Sequence, residues 1–221
     1  MRPNSKVACK MIKRNLSKKA MSYIYQEIFI MQQTCHENVL RYIDAKRTKK
    51  SIYIFLEYCN GGDLRRLFDL KCGKLDEGFS KIILKQIAEG LSYLNSKNVM
   101  HRDLKLENIL LNFPDYTGEG QVPDEYIENF DYKKKDRIEV IIGDLGFART
   151  VDENKLVQSY LGTPLNMAPE IMNGESYSTK VDIWSFGTIM YELLVGFTPF
   201  TGYDPNDLAK NVNVGSYGVP K

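Results

Sequence analysis

Eight consecutive residues, His101-Arg102-Asp103-Leu104-Lys105-Leu106-Glu107-Asn108, place three chemically active side chains in one short stretch. An aspartate beside a hydroxyl can accept its proton and orient it, and a lysine two positions on can neutralise a moving phosphate. An asparagine five positions on can hold a metal ion from the same loop. Asp103, Lys105 and Asn108 are the candidates for these roles. A second carboxylate, Asp144 of Asp144-Leu145-Gly146, follows the apolar run 138–142. At a strand end it is a hard oxygen ligand suited to Mg²⁺. Lys10, in Val7-Ala8-Cys9-Lys10, has a prospective ion-pair partner in Glu27, the only acidic residue of the segment that follows. Such a pair lets an ammonium group contact the α- and β-phosphates of a nucleotide. The residue types and their order are those of phosphoryl transfer, which needs metal ions, neutralised charge and in-line positioning more than covalent help.

These side chains must be held by particular elements. Residues 7–12 alternate as a strand, with Ala8 and Lys10 on one face. From Lys18 to Gln33 the spacing of Tyr23, Glu27 and Met31 predicts a helix presenting Glu27. Two β-rich runs follow at 39–43 and 52–56, and Asp63 is placed to cap a helix starting at Leu64. Residues 79–94 read as a long amphipathic helix, 181–195 as an apolar core helix, and 205–210 as a shorter one. Asp182, at the start of the core helix, is suited to accept backbone N–H groups from the loop at 101–108 and hold its shape. The segment 112–137 carries seven acidic and four basic residues, two prolines and no sustained apolar period, and reads as a mobile surface insertion.

Composition bounds the alternatives. With 221 residues, 43% hydrophobic and 26% charged, the chain can bury a substantial core. The formal net charge is +2, yet residues 1–50 carry 12 Lys and Arg against 3 Asp and Glu. A nucleic-acid or membrane-surface role for that basic stretch is the weakest reading, because much of the charge flanks a strand-to-helix connection where solvated charge is common. The four cysteines form no C-x-x-C pair, and there is no run of 18 apolar residues. Reduced thiols, no membrane span and a cytoplasmic location are the expectations.

The five segments His101–Asn108, Asp144–Gly146, Gly162-Thr163-Pro164 with Ala168-Pro169-Glu170, Asp182–Gly187 and Val7–Lys10 together resemble the eukaryotic protein kinase family, over nearly the whole chain. Lys105 and the G-T-P-x-x-x-A-P-E pattern point to the serine/threonine branch. Glu57–Leu64 and Gly146-Phe147-Ala148-Arg149 look like the autophagy-initiating kinases. The resemblance implies an α+β bilobal fold, with an N-lobe at 1–58 bearing the lysine strand and the glutamate helix. A C-lobe at 59–221 would hold the catalytic loop, the insertion 112–137 and an activation segment at 144–170. ATP and Mg²⁺ are the implied cofactors, and protein Ser or Thr hydroxyls the acceptors, with no nucleic acid.

Carried over position by position, the family roles add a nucleotide site. Leu56 would be the gatekeeper, Glu57 and Cys59 the hinge residues binding adenine through their backbone, and Ala8 and Leu110 the two sides of a sandwich around the ring. Asp63 would reach the ribose, and Asp144 with Asn108 would hold the metal. Arg102 would pair with a phosphate on the activation loop, where Ser159 is the candidate acceptor and Thr163 a second regulatory position. Glu170 and Asp182 would be structural. Only nine residues precede Lys10, and no G-x-G-x-x-G motif occurs anywhere in the sequence. The family places that loop and two strands before the lysine, and further helices after residue 221, including an Arg that pairs with Glu170. An incomplete fold, exposure of β-strand 7–11 as an edge, lowered stability and impaired catalysis are therefore expected. The competing reading is a catalytically inactive, pseudokinase-like binding or scaffold module.

Overall fold

The computed structural model describes residues 6–134, 137–150 and 164–218. Strand β1 (Val7–Lys13) turns Ala8, Lys10 and Ile12 to its half-buried face, as the alternation predicts. Helix α1 (Lys18–Gln33) starts where the Ser17 hydroxyl accepts the Ala20 N–H, and it buries Ile24, Glu27, Ile30 and Met31. Strands β2 (Tyr42–Arg47) and β3 (Ser51–Glu57) complete an antiparallel sheet in the order β1-β3-β2, so β1 stands at an edge. The strand expected at 39–43 is displaced toward the C-terminus. Val39 and Leu40 are buried and engage Ile142 instead, Val39 through a parallel bridge and Leu40 through its N–H. Periodicity could not distinguish that pairing from a strand of the first sheet.

The rest is mostly helical. Strand β4 (Gly62–Asp63) runs into α2 (Leu64–Leu70), where Asp63 Oδ1 accepts the Arg66 N–H at 2.9 Å. The long helix α3 (Glu77–Ser96) is capped by Asp76 and buries Phe79, Ile83, Ile87, Leu91 and Leu94 on one side. Strands β5 (Val99–Met100) and β6 (Ile109–Asn112) flank the loop at 101–108. After α4 (Asp124–Glu128) come β7 (Glu139–Ile142) and β8 (Arg149–Thr150), then α5 (Pro169–Met172), α6 (Lys180–Val195) and α7 (Pro205–Val214). Strands β4, β6 and β7 form one small antiparallel sheet, and β5 pairs with β8. A contiguous cluster of buried side chains runs from Ile24 and Ile54, through Leu64 and Ile87, to Leu193 of α6, joining the sheet-bearing part to the helical part. The result is the expected two-lobed α+β architecture. Among the described residues, no helix is long and apolar enough to cross a membrane.

The insertion 112–137 is more structured than its sequence pattern suggests: its described part packs against α2 and α3. Phe113, Val122, Ile127 and Phe130 are buried, and Phe113 meets Tyr126 and Phe130 edge-on. Arg66 donates to Gly61 O, Val122 O and Asp124, and Lys71 donates to Glu128 O and Phe130 O. At the far end, Tyr132 stacks on Phe79 and donates its hydroxyl to Asp76 at 2.6 Å. A β-carbon on Gly61 would lie 2.6 Å from the Phe113 ring, so only glycine admits this close approach. The aromatic anchors follow neither a helical nor a strand period, which is why the sequence pattern read as structureless.

Candidate active site

The loop at 101–108 is held by short local rules. Leu104 and Leu106 are buried and pin alternate positions, while Leu106–Asn108 form a single 3₁₀ turn. Arg102 takes a left-handed backbone with φ of 69°, sparsely populated for a side chain of that size. Asp182 of α6 offsets that strain, accepting the N–H groups of His101 at 2.8 Å and Arg102 at 2.9 Å. Burial pushes the Asp182 carboxyl up, opposed by His101, the two N–H bonds and the Arg102 guanidinium. Asp103 is 5% exposed, and its Oδ2 lies 2.9 Å from Lys105 Nζ. Asn108 Nδ2 donates to Asp103 O at 2.7 Å and to Oδ2 at 3.0 Å. With the amide nitrogen so engaged, the Asn108 oxygen is the atom suited to a metal.

A second wall faces this loop. Lys10 Nζ lies 2.7 Å from Glu27 Oε1 and 3.4 Å from Asp144 Oδ1. Burial alone would lower the lysine, but Glu27 and then Asp144 outweigh it and hold the ammonium above its ordinary value. Asp144 itself has φ of 48°, a left-handed turn that carries the chain from β7 into the 3₁₀ turn Leu145–Phe147, which packs on α1. Between the walls lies a cleft of about 250 Å³. Met31, Leu40, Leu56 and Leu110 make its apolar side, and Lys10, Glu27, Asn108 and Asp144 its polar end. An apolar slot ending in one ammonium and two oxygen donors suits a flat base with a charged tail.

The structure brings together Lys10, Glu27, Asp103, Lys105, Asn108, Asp144, Leu56 and Leu110. Ala8 pairs across the sheet with Leu56, on the same face of β1 as Lys10, without lining the cleft. The side chains of Glu57 and Cys59 turn away into a separate cavity of about 430 Å³, with Asn38, Gln86 and Glu139. There burial, with Glu57 and Glu139, pushes the Cys59 thiol up to about 12. Asp63 serves as the cap of α2. Arg102 Nη1 lies 3.4 Å from the Tyr177 hydroxyl. Glu170 opens α5 half-buried and has no ion pair among the described residues. Ser159 and Thr163 lie outside the described residues.

Whether the residues fit a metal can be judged from the donors. Asp144 carboxylate and Asn108 amide oxygen are both hard and both reach the cleft, as Mg²⁺ requires. Among the described residues no group of three or more His, Cys, Asp or Glu converges, so this pair would hold an ion jointly with phosphate and water.

Three contributors were not singled out from sequence. His101 Nε2 lies 2.8 Å from Gly143 O, and its Nδ1 accepts the Asp103 N–H at 3.3 Å. A carbonyl can only accept, so the proton sits on Nε2, and the ring ties the loop to the residue before Asp144. Asn38 and Gln86, neither in a recognisable motif, brace the strand that leads to Asp144.

Comparison with known proteins gives a protein kinase domain matching residues 2–216. Serine/threonine-protein kinase ATG1c of Arabidopsis thaliana is 36% identical over 197 residues, covering 89% of this chain and 24% of that protein. Serine/threonine-protein kinase ULK1 of Homo sapiens is 37% identical over 202 residues, covering 91% of this chain and 18% of its own length. Calcium-dependent protein kinase 5 of Plasmodium berghei is 39% identical over 194 residues, 87% of this chain and 30% of that one. The chain thus spans less than a third of each of these relatives. The resemblance to the autophagy-initiating group is consistent with the first two.

Proposed function

Because the chain belongs to the protein kinase family, we propose that it transfers the γ-phosphate of ATP to Ser or Thr hydroxyls of protein substrates. The observation that carries this reading is the convergence of Asn108 with Lys10, Glu27 and Asp144 around one cleft, from segments up to 134 residues apart, with Asp103 bonded to Asn108 and paired with Lys105 beside it.

In this reading, Leu56 and Leu110 bound the adenine slot, with hinge contacts from the backbone of Glu57 and Cys59. Glu27 orients Lys10, whose ammonium contacts the α- and β-phosphates. Asp144 and Asn108 would hold Mg²⁺, which would draw charge from the phosphate oxygens. Asp103 accepts the proton of the acceptor hydroxyl as its oxygen bonds to the γ-phosphorus. The bond from that phosphorus to the β–γ bridging oxygen breaks, leaving ADP. Lys105 would neutralise the moving phosphoryl group, a role that its 2.9 Å pairing with Asp103 Oδ2 supports.

The test is phosphate transfer from labelled ATP to a Ser/Thr peptide array, beside titration of ATP binding. Asp103→Asn should abolish transfer and leave ATP binding nearly intact, whereas Asp144→Asn should weaken Mg²⁺-dependent binding. Transfer undiminished in both variants would refute the assignment. ATP binding without any transfer in the parent protein would favour the scaffold reading.

A further inference from the structure

Strand β7 delivers Asp144 to the cleft, yet only one of its edges meets another strand along its length. Residues 139–142 pair with β6 in the register Ile109↔Ile142 to Asn112↔Glu139. On the opposite edge the groups of 138, 140 and 142 point outward, and among the described residues the backbone pairing of β7 there is the isolated bridge between Val39 and Ile142. An unpaired strand edge in a half-buried seam is costly. Here the edge is nonetheless satisfied, and by two kinds of partner.

The chain segment before β2 supplies the first. Ile142 N–H donates to Asn38 O and Leu40 N–H donates to Ile142 O, both at 2.9 Å. Two side-chain amides supply the second. Gln86 Oε1 accepts the Val140 N–H at 2.9 Å, Gln86 Nε2 donates to Ile138 O at 3.2 Å, and Asn38 Nδ2 donates to Val140 O at 2.9 Å. Asn38 Nδ2 also donates to Gln86 Oε1 at 3.3 Å, locking the two amides to each other. The Gln86 carboxamide thereby takes the place of a neighbouring strand residue, accepting from one N–H and donating to the carbonyl two residues earlier. Its orientation is fixed, because a flipped amide would set oxygen against Ile138 O and nitrogen against the Val140 N–H. Helix α3 is close enough to do this because of Gly90, one turn on. A β-carbon there would lie 2.7 Å from Asn38 O and 2.8 Å from Ile142 Cδ1.

We propose that Gln86 is a positioning residue of the phosphoryl-transfer site: it fixes the height and register of β7, and through Gly143 the place of the Asp144 carboxylate. Gly143 stands between the clamp and the acid, and is itself held, its N–H by Asn108 O at 2.8 Å and its carbonyl by His101 Nε2 at 2.8 Å. The clamp on β7, the metal-suited Asn108 and the catalytic loop therefore form one continuous hydrogen-bonded chain. Gln86 touches neither the cleft nor any reacting atom. The inference rests on the kinase reading of the site.

The test compares Gln86→Leu, which keeps the bulk and loses every bond, with Gln86→Glu, which keeps the acceptor for Val140 and Asn38. Lys85→Ala, on the exposed side of α3, is the control. Three quantities are measured: binding of a non-hydrolysable ATP analogue with and without Mg²⁺, the Mg²⁺ concentration giving half of the Mg²⁺-dependent binding, and amide exchange at Val140 and Ile142. Supporting groups around a metal typically set its affinity by about 10- to 100-fold. Gln86→Leu should raise the half-saturating Mg²⁺ concentration about tenfold, leave Mg²⁺-free binding within about twofold, and speed exchange at Val140. Gln86→Glu should recover part of the Mg²⁺ response, and it carries the test alone if the leucine variant does not fold. Faster exchange at Val140 with an unchanged Mg²⁺ response would reduce Gln86 to fold support and overturn the inference. A parent protein whose nucleotide binding ignores Mg²⁺ would instead defeat the kinase reading itself, and the inference with it.

Discussion

Replacing Asp182 tests whether the loop at 101–108 is shaped by α6 or only rests on it. Its carboxylate accepts two backbone N–H groups, from His101 and Arg102, in a site where the aspartate is 4% exposed. Asp182→Ala removes both acceptors and leaves buried donors, each worth about 1–3 kcal/mol when unsatisfied. Part of that returns if Arg102 relaxes from its φ of 69°, a conformation costing roughly 1–2 kcal/mol. The balance is a loss of about 3 kcal/mol. With a denaturant slope of about 2–3 kcal/mol per M of urea, the unfolding midpoint should fall by about 1 M. Asp182→Asn keeps one acceptor oxygen and removes a charge that burial already disfavours, so it should lose roughly half as much.

The functional readout separates shape from stability. Asp103 directly follows the two anchored amides, and a displacement of about 1 Å at a reacting group can lower turnover about 100-fold. At urea-free, low temperature the Asn variant should remain folded, bind nucleotide almost normally and turn over far more slowly. Amide exchange at His101 and Arg102 should rise in parallel. A midpoint shift under about 0.3 M for Asp182→Ala, with both amides still protected, would refute the reasoning, since the bonds would then contribute nothing net.

Other outcomes follow from the same geometry. Cys59, with its thiol pushed up to about 12, should resist iodoacetamide at pH 8 while the exposed Cys9, Cys35 and Cys72 react, as peptide-resolved mass spectrometry would show. Arg65 bonds the buried Glu192 at 2.8 Å and Glu107 at 3.3 Å, so Arg65→Ala should cost about 2 kcal/mol in urea unfolding, with Lys restoring only part. The Tyr132 hydroxyl, then the Phe79 N–H and Lys133, hold Asp76 below the usual carboxylate value. A depressed carboxyl stabilises above its unfolded value, about 3.9, and ceases to as pH falls through its folded value. Melting curves of the parent and Tyr132→Phe should therefore differ at pH 6 and converge as pH falls through the depressed value of Asp76. A constant gap at all pH values would mean that the hydroxyl bond is not what anchors the insertion.

Legibility in the sequence followed the range of the interactions. The loop at 101–108 is local, so its residue types and spacing sufficed to name Asp103, Lys105 and Asn108. Helix α1 was placed at Lys18–Gln33 because one amphipathic period marks it, and the Ser17 cap emerged with the structure. Asp182 was legible because a buried acid at a helix start has few other uses. What escaped was decided by contacts with no period. Val39 and Leu40 look like any β-rich pair until Ile142 claims them. The insertion is anchored by aromatics at irregular intervals and by Arg66 and Lys71 reaching across to its carbonyls. Gln86 lies midway along an amphipathic helix, and nothing in its own neighbourhood announces the strand edge it completes.

The two halves of the site differ in how firmly they are tied. On one side, Asp103, Lys105 and Asn108 lie within six residues and bond to one another, and their loop is anchored by Asp182 and His101. On the other, Lys10 is fixed to Glu27, whose carboxylate is only 7% exposed, within β1 and α1. The direct side-chain link from Lys10 to the second half is the 3.4 Å contact with Asp144, where both partners are about 40% exposed, 40% and 43%. An ion pair that open is worth about 0–1 kcal/mol, far too little to hold two parts of a molecule at a set separation. Packing of α1 on the turn Leu145–Phe147, the buried cluster that runs from Ile24 and Ile54 to Leu193, and the bonds of Asn38 and Leu40 to β7 carry the join. A triphosphate would pair directly with Lys10, and because it repels the Asp144 carboxylate it would meet Asp144 and Asn108 only through a bound cation. On the proposed reading, the nucleotide with its cation would add at the polar end the link that the open pair of Lys10 and Asp144 does not supply.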